Sequence, residues 1–124
     1  MDLQKTQTWT VNFIIEKTRF LGRLEVNKDF IRIIAEYNMS LIDSSPPEMF
    51  VQQDNMMVCI ITPEKLVSAE PRKSFFKKRI ILQVQSQEWG SREIILDYGM
   101  LPINKMYEVI SQFRDQPVAQ PVSG

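Results

Sequence analysis

The segment 73–79 carries the residue types best suited to recognising another molecule. It reads Lys73-Ser74-Phe75-Phe76-Lys77-Lys78-Arg79, so that two phenylalanines are enclosed by four cations. Ammonium and guanidinium groups attract anions, and an aromatic ring favours the boundary between water and an apolar phase. The candidate residues for binding a protein partner or a lipid are therefore Lys73, Phe75, Phe76, Lys77, Lys78 and Arg79.

Each aromatic residue of this kind also has a structural interpretation. One of the two phenylalanines in 73–79 can pack back onto a core rather than face a partner. Trp89, in the expected loop 86–91, is a second candidate contact, for which core packing is the alternative. Stacking of single-stranded nucleic acid on these rings is the weakest hypothesis. The sequence has 15 basic and 15 acidic residues, and nucleic-acid-binding domains usually carry a basic excess.

Charge is distributed unevenly along the chain. The range 33–64 holds five acids and no base, whereas 65–79 holds six bases against the single acid Glu70. Blocks of one sign on neighbouring segments predict opposed surface patches, or an internal seam of ion pairs if the segments meet. The alternative is an ordinary solvated edge, where lysine discourages edge-to-edge association of sheets.

The residues needed for most catalytic mechanisms are missing. There is no histidine, the carboxylates are spread singly, and Gly22, Gly90 and Gly99 form no phosphate-binding loop. One thiol, Cys59, excludes an internal disulfide and any cysteine-rich zinc spacing. Its apolar neighbours predict an inert core thiol. We therefore expect no enzymatic activity, no catalytic residue, no cofactor and no metal.

The elements that must position the segment 73–79 are mainly β-strands. Apolar residues fall on every second position in several segments, as a sheet with one buried face requires. Short polar breaks between these segments favour an antiparallel meander. The predicted strands cover 9–15, 20–26, 31–37, 56–61, 67–70, 80–85 and 93–98. Loops at 73–78 and 86–91 are predicted to close hairpins.

Two other segments follow a different pattern. Ser45 lies three residues before Glu48, with Pro46 between them, and this capping arrangement predicts a short helix over 46–53. From Pro102 the spacing becomes helical, which predicts one C-terminal amphipathic helix. Its buried face would comprise Ile103, Met106, Tyr107, Ile110 and Phe113.

The predicted architecture is mainly β with a C-terminal helix: a bent antiparallel sandwich or half-open barrel of six to seven strands, capped by that helix. We expect a flexible N-terminus over 1–8, a single domain over 9–113 with an insertion at 38–55, and a disordered tail over 114–124. No signal peptide is recognisable, and no stretch approaches the roughly 18 apolar residues of a spanning helix. A cytoplasmic protein, peripheral to a membrane at most, is the expectation.

This order of elements resembles the pleckstrin-homology (PH) superfold, and more closely its GRAM-like and bacterial PH-like branches. The likeness covers most of 8–113. It is carried by a strand entered through a glycine at 20–26, an isoleucine-proline lead into a strand at 61–70, a basic hairpin at 74–84, and the last strand and helix at 92–98 and 102–113. The resemblance implies a binding module on a PH-like scaffold.

The chain departs from the phosphoinositide-binding members of that superfold. Those members carry a lysine late in the first strand and a basic-x-basic pair in the second. Lys17, Arg19 and Arg23 occupy this region at a different spacing. Recognition of a lipid head group therefore does not carry over from the resemblance, and a superfold alone does not fix a ligand.

Three functions remain open on the sequence. The first is binding of a protein or peptide, through a groove between the C-terminal helix and a strand edge or through the basic aromatic hairpin. The second is peripheral binding to anionic membrane lipids through 73–79. The third is a structural subunit of a homo-oligomer.

Overall fold

The computed structural model describes residues 3–38, 48–54 and 56–116, which form one open antiparallel sheet of eight strands and a C-terminal helix. The mainly β prediction is confirmed at this level, with eight strands instead of six to seven. The elements are β1 Gln7–Ile15, β2 Thr18–Val26, β3 Ile31–Asn38, β4 Val51–Gln53, β5 Met56–Ile61, β6 Leu66–Lys73, β7 Lys78–Ser86, β8 Gly90–Asp97 and α1 Asn104–Arg114.

The sheet has the strand order β4-β5-β3-β2-β1-β8-β7-β6. Strand β1 pairs with β2 along its whole length, but with β8 only over Asn12 to Ile15. Helix α1 contacts both β2 and β6, which are separated in this order by three strands. A flat sheet could not reach both sides of one helix, so the sheet curves around α1.

Alternation along the strands places the core as the sequence predicts. Val11, Phe13 and Ile15 of β1 are buried, and so are alternate residues of β7 and β8. On the helix, Ile103, Met106, Val109, Ile110 and Phe113 are buried and Tyr107 is half-buried. The side chains of the helix therefore fill the concave side of the sheet.

Strand β6 departs from strict alternation. Val67 and Ala69 are two residues apart, a spacing that places both on one face of a regular strand, yet Val67 is 52% exposed while Leu66 and Ala69 are buried. The register with β7 shifts between Leu66 and Ser68, which is a β-bulge. A bulge places two residues of one strand opposite one of its partner, and it therefore reverses the facing of the residue inserted.

The expected helix over 46–53 is wrong for the residues that the structure describes. Glu48 and Met49 lie in a turn, and Val51–Gln53 forms β4, whose backbone pairs with β5. The backbone N–H and C=O groups of this segment form hydrogen bonds with β5 instead of with each other in a helix. The long-range strand pairing therefore overrides the local capping pattern. Residues 45–47 of the predicted capping pattern lie outside the described residues.

The folded part extends beyond the predicted bounds at both ends. Strand β1 begins at Gln7, and the Lys28 amide donates to the Leu3 carbonyl at 2.9 Å. Helix α1 continues to Arg114, and the Gln116 side chain donates to the Lys28 carbonyl at 3.0 Å. Residues 117–124 of the predicted tail lie outside the described range.

Candidate functional site

The hairpin that joins β6 to β7 is closed by hydrogen bonds between Ser74 and Lys77. The Ser74 amide donates to the Lys77 carbonyl at 2.8 Å, and the Lys77 amide donates to Ser74 Oγ at 3.1 Å. Phe75 and Phe76 form the tip, and neither has a positive φ. Bulky side chains rarely adopt a positive φ, so the tip suits two phenylalanines. The serine hydroxyl replaces the second backbone acceptor, so this tip is ordered by its own polar contacts.

Phe75 and Phe76 project from the hairpin tip into solvent. Their exposed fractions are 79% and 66%, the first being the largest among the exposed large hydrophobic residues of the described chain. The two rings meet edge to face with centroids 4.7 Å apart. Neither ring packs back onto the core, so the structural alternative considered for this pair does not hold.

The lysines around the tip are held by neutral oxygen atoms. Lys73 Nζ donates to Asn104 Oδ1 at 2.6 Å, and Lys78 Nζ donates to the Ser74 carbonyl at 2.6 Å. The Lys77 side chain is exposed. These acceptors carry no formal charge, so the two hydrogen bonds do not neutralise the ammonium groups of Lys73 and Lys78.

The arginines beside the tip are paired with carboxylates. Arg79 contacts Asp97 Oδ2 through Nε at 3.1 Å and through a terminal nitrogen at 3.0 Å, and both side chains are largely buried. The exposed Arg72 contacts Glu70 at 3.2 Å. The net positive charge of the tip therefore comes from lysine rather than arginine.

An open recess of about 310 Å³ lies at the side of the hairpin and is lined by Arg72, Lys73, Ser74, Lys77 and Arg79. Arg72 and Arg79 are paired with Glu70 and Asp97, so the attraction of the recess for anions comes from Lys73 and Lys77. The structure thus brings the basic candidate residues of 73–79 around one end of the molecule, with Arg72 and Ser74 added to them.

A second loop lies against the base of this hairpin, and sequence reasoning missed it. The Lys78 amide donates to the Gly99 carbonyl at 2.7 Å, and the Tyr98 amide donates to the Lys78 carbonyl at 3.0 Å. Met100 and Leu101, which follow, are 68% and 57% exposed. The sequence did carry a signal for this loop: Met100 and Leu101 are apolar, yet they lie between Gly99 and Pro102 and belong to neither the strand pattern nor the helix pattern.

The acidic block of 33–64 forms no ion-pair seam with the basic block among the described residues. The arginines of the basic block pair with Glu70 and Asp97, whereas Glu48 pairs with Arg92 at 3.2 Å. Within the acidic block, Thr62 Oγ1 donates a hydrogen bond to Glu64 Oε1 at 2.5 Å. This bond lowers the pKa of the exposed Glu64 carboxyl, and nearby Lys65 lowers it by a smaller amount.

Cys59 is buried in β5, as its apolar neighbours predicted. Loss of hydration on burial raises the pKa of its thiol to about 12, although Lys65 opposes the shift. At neutral pH the sulfur is protonated and out of reach, so Cys59 is unavailable as a nucleophile.

The apolar side chains of the C-terminal helix that could border a groove are turned into the core. Ile103 and Met106 are buried and Tyr107 packs against the core. Trp89 likewise packs against the core from the β7–β8 loop. These residues stabilise the fold, and among the described residues they leave the hairpin tip as the exposed aromatic surface.

Two comparisons with known protein sequences give no match. No protein-family model matches the chain, and no curated protein matches it at a significant level. Within the described part of the chain, no three side chains of the His, Cys, Asp and Glu types come together as potential metal ligands. None of the helices in the same residues is long and apolar enough to cross a membrane.

Proposed function

We propose that this chain is a non-catalytic, PH-like interaction module of the cytoplasm that attaches peripherally to anionic membranes through the hairpin 73–79. The observation that carries the proposal is the exposure of Phe75 and Phe76 at a tip surrounded by lysine. Side chains that prefer an apolar phase and charges that prefer anions meet on one protrusion, and an anionic lipid surface offers both.

The PH-like assignment is supported by the order of the strands and by the position of the helix. If the short β4 is set aside, seven strands remain in the order β5-β3-β2-β1-β8-β7-β6. They comprise two antiparallel runs joined through the β1–β8 pair, and α1 lies across the concave side. A half-open, PH-like arrangement would have this strand order and this helix position, and both therefore support the assignment.

Two observations favour a membrane over a peptide. The apolar helix residues Ile103 and Met106 are buried, so they offer no exposed surface to a peptide. Among the described residues β6 ends the sheet, but Pro71 supplies no backbone donor there and the bulge near Leu66 interrupts its register. Addition of a peptide strand needs a regular edge with free donors, so the proline and the bulge make this edge a poorer template for a peptide.

The expected attachment is weak and depends on salt. A basic residue near an anionic surface contributes about 1 kcal/mol, so Lys73, Lys77 and Lys78 together contribute about 3 kcal/mol. Burial of an exposed phenylalanine adds about 2 kcal/mol per ring. The charge contribution falls as salt shortens the screening length, whereas the aromatic contribution does not.

Co-sedimentation with neutral and anionic vesicles, at low and moderate salt, tests the proposal. Lys77→Glu is the variant of choice, because the Lys78 ammonium also holds the hairpin through Ser74. Reversal of one charge should weaken binding to anionic vesicles roughly tenfold to thirtyfold. The matched control is Lys17→Glu, since the β1–β2 turn lies at the end of the sheet opposite 74–77.

The wild-type chain should sediment with anionic vesicles, more weakly at higher salt, and Lys17→Glu should behave like it. Equal sedimentation of Lys77→Glu would show that this tip is not the contact. Absence of sedimentation by the wild-type chain at low salt would overturn the membrane proposal, and would leave a protein partner or self-association as the function to pursue.

A further inference from the structure

The loop 98–101, between β8 and α1, is tied to the hairpin on two sides. On one side the Gly99 carbonyl accepts from the Lys78 amide at 2.7 Å. On the other side Asn104, the first residue of α1, accepts from Lys73 Nζ at 2.6 Å. Met100 and Leu101 lie between these anchors, so their position is fixed relative to both strands of the hairpin.

The loop is also ordered internally. The Leu101 amide donates to the Tyr98 carbonyl at 3.2 Å, and the Gly99 amide donates to Asp97 Oδ1 at 2.9 Å. Gly99 has a φ of +62°, which suits glycine and turns the chain so that Met100 follows at once. These bonds fix the backbone of the loop that presents Met100 and Leu101 to solvent.

We propose that Met100 and Leu101 form a second apolar prong, which enters the same anionic bilayer as Phe75 and Phe76. This inference rests on the proposed function and adds to it a second contact, contributed by a different loop. It also fixes how the molecule sits: one hairpin alone would let the domain rotate about its tip, whereas two prongs tied together hold one orientation.

The distribution of exposed apolar residues supports this assignment. Single exposed apolar residues are common on soluble proteins, but a contiguous group marks an interaction surface. Four of the seven large exposed hydrophobic residues in the described chain belong to the two hydrogen-bonded loops. The other three, Val51, Met56 and Val67, lie in β4, β5 and β6.

Charge complementarity identifies the occupant as an anionic lipid surface. The segments 73–78 and 98–105 contain Lys73, Lys77, Lys78 and Lys105 and no acidic residue. The neighbouring carboxylate, Asp97, is occupied by Arg79 and by the Gly99 amide. A surface with a net positive charge around apolar side chains matches a layer of anionic head groups over acyl chains.

Site-specific fluorescence tests whether both loops enter the bilayer. Phe76→Cys, Met100→Cys and Lys17→Cys are each labelled with an environment-sensitive thiol dye and mixed with anionic vesicles, with and without quencher groups on the acyl chains. Cys59 stays unlabelled in the folded chain, because it is buried and its pKa is raised to about 12. Dyes at positions 76 and 100 should shift to the blue and be quenched, and the dye at position 17 should do neither.

Sedimentation of unlabelled variants provides the second measurement. Met100→Glu should weaken binding to anionic vesicles on the order of tenfold or more, since it replaces an inserted apolar group with a charge of the wrong sign. Val67→Glu is the matched control, because Val67 is similarly exposed and lies at the far end of β6. It should bind like the wild-type chain.

The outcomes separate the two proposals. Quenching at position 76 with an unquenched dye at position 100 and unchanged binding of Met100→Glu would overturn the second prong and leave attachment by the hairpin intact. Unquenched dyes at both positions, together with no sedimentation of the wild-type chain, would overturn both. Equal weakening by Met100→Glu and Val67→Glu would show a general charge effect and would also overturn the second prong.

Discussion

The loops at the two ends of the strands differ in where their aromatic side chains lie. At the closed end, which comprises the β1–β2 turn, the β7–β8 loop and residues 48–50, the rings turn inward. Phe50 lies edge to face on Phe20 at 5.6 Å, and Trp89 packs against the core. At the open end, formed by the loops 73–78 and 98–101, Phe75, Phe76 and their apolar neighbours face solvent.

The charges at the two ends differ in the same sense. At the closed end Arg92 pairs with Glu16 and Glu48, residues from separate elements, so that the ion pairs join the loops to each other. At the open end Lys78 bonds within its own hairpin and Arg79 pairs with the adjacent strand. The closed end is completed by its own chain, whereas the open end presents apolar groups and unneutralised lysines to another surface.

The contrast between the aromatic residues gives the largest expected effect. Phe20 is buried and stacks on Phe13 with centroids 5.2 Å apart. Phe20→Ala should therefore lower the free energy of unfolding by about 4 kcal/mol, because it removes buried surface and leaves a cavity. Phe75→Ala should change it by no more than about 0.5 kcal/mol. Urea unfolding measures both, and a comparable loss in Phe75→Ala would contradict an exposed tip.

Two glycines sharpen the comparison at the level of the backbone. A Cβ at Gly22 would lie 2.3 Å from the Ile34 carbonyl oxygen and 3.1 Å from Phe13, so Gly22→Ala should cost about 2–3 kcal/mol. At Gly99 no atom lies within 4 Å of such a Cβ, and only the positive φ opposes a side chain. Gly99→Ala should cost about 1 kcal/mol. Thermal unfolding should rank Gly22→Ala as the less stable, and the reverse order would contradict the close approach of β2 to β3.

The ion pairs give the smallest effect. Glu16→Gln combined with Glu48→Gln should lower the free energy of unfolding by about 1 kcal/mol at low salt. It leaves the largely buried Arg92 without a carboxylate, and the buried Arg92 Nε already lacks a well-aligned hydrogen bond. Glu70→Gln at the open end, where both partners are exposed, should have almost no effect. The loss of unfolding free energy in the closed-end variant should be smaller in about 0.5 M salt. A loss that does not depend on salt would mean that charge is not its cause.

Burial and secondary structure could be predicted from the sequence wherever one local pattern determines them. Val11, Phe13 and Ile15 are buried because a strand with one covered face has a side-chain period of two. The C-terminal helix follows its period near 3.6, and the apolar neighbours of Cys59 correctly predict its burial. The site segment 73–79 could be selected because cations and aromatic rings are adjacent along the chain.

The remaining features depend on contacts between distant segments. Val67 faces solvent because the register between β6 and β7 slips, and β4 forms because β5 offers it a partner. Neither pairing is encoded in a window of a few residues. Met100 and Leu101 were missed for the same reason, since only the folded chain places Gly99 against Lys78. The exposure of Phe75 depends on the shape of the turn rather than on hydrophobicity.

The position of Cys59 determines how the protein behaves under oxidising conditions. Formation of a disulfide or a sulfenic acid begins from the thiolate, and burial suppresses that form until the pH approaches the thiol pKa of about 12. Cys59 of the folded chain is therefore protected from oxidants and from disulfide exchange with a second copy. Disulfide-linked dimers in an ageing sample would accordingly indicate that Cys59 had become exposed, through local opening or unfolding.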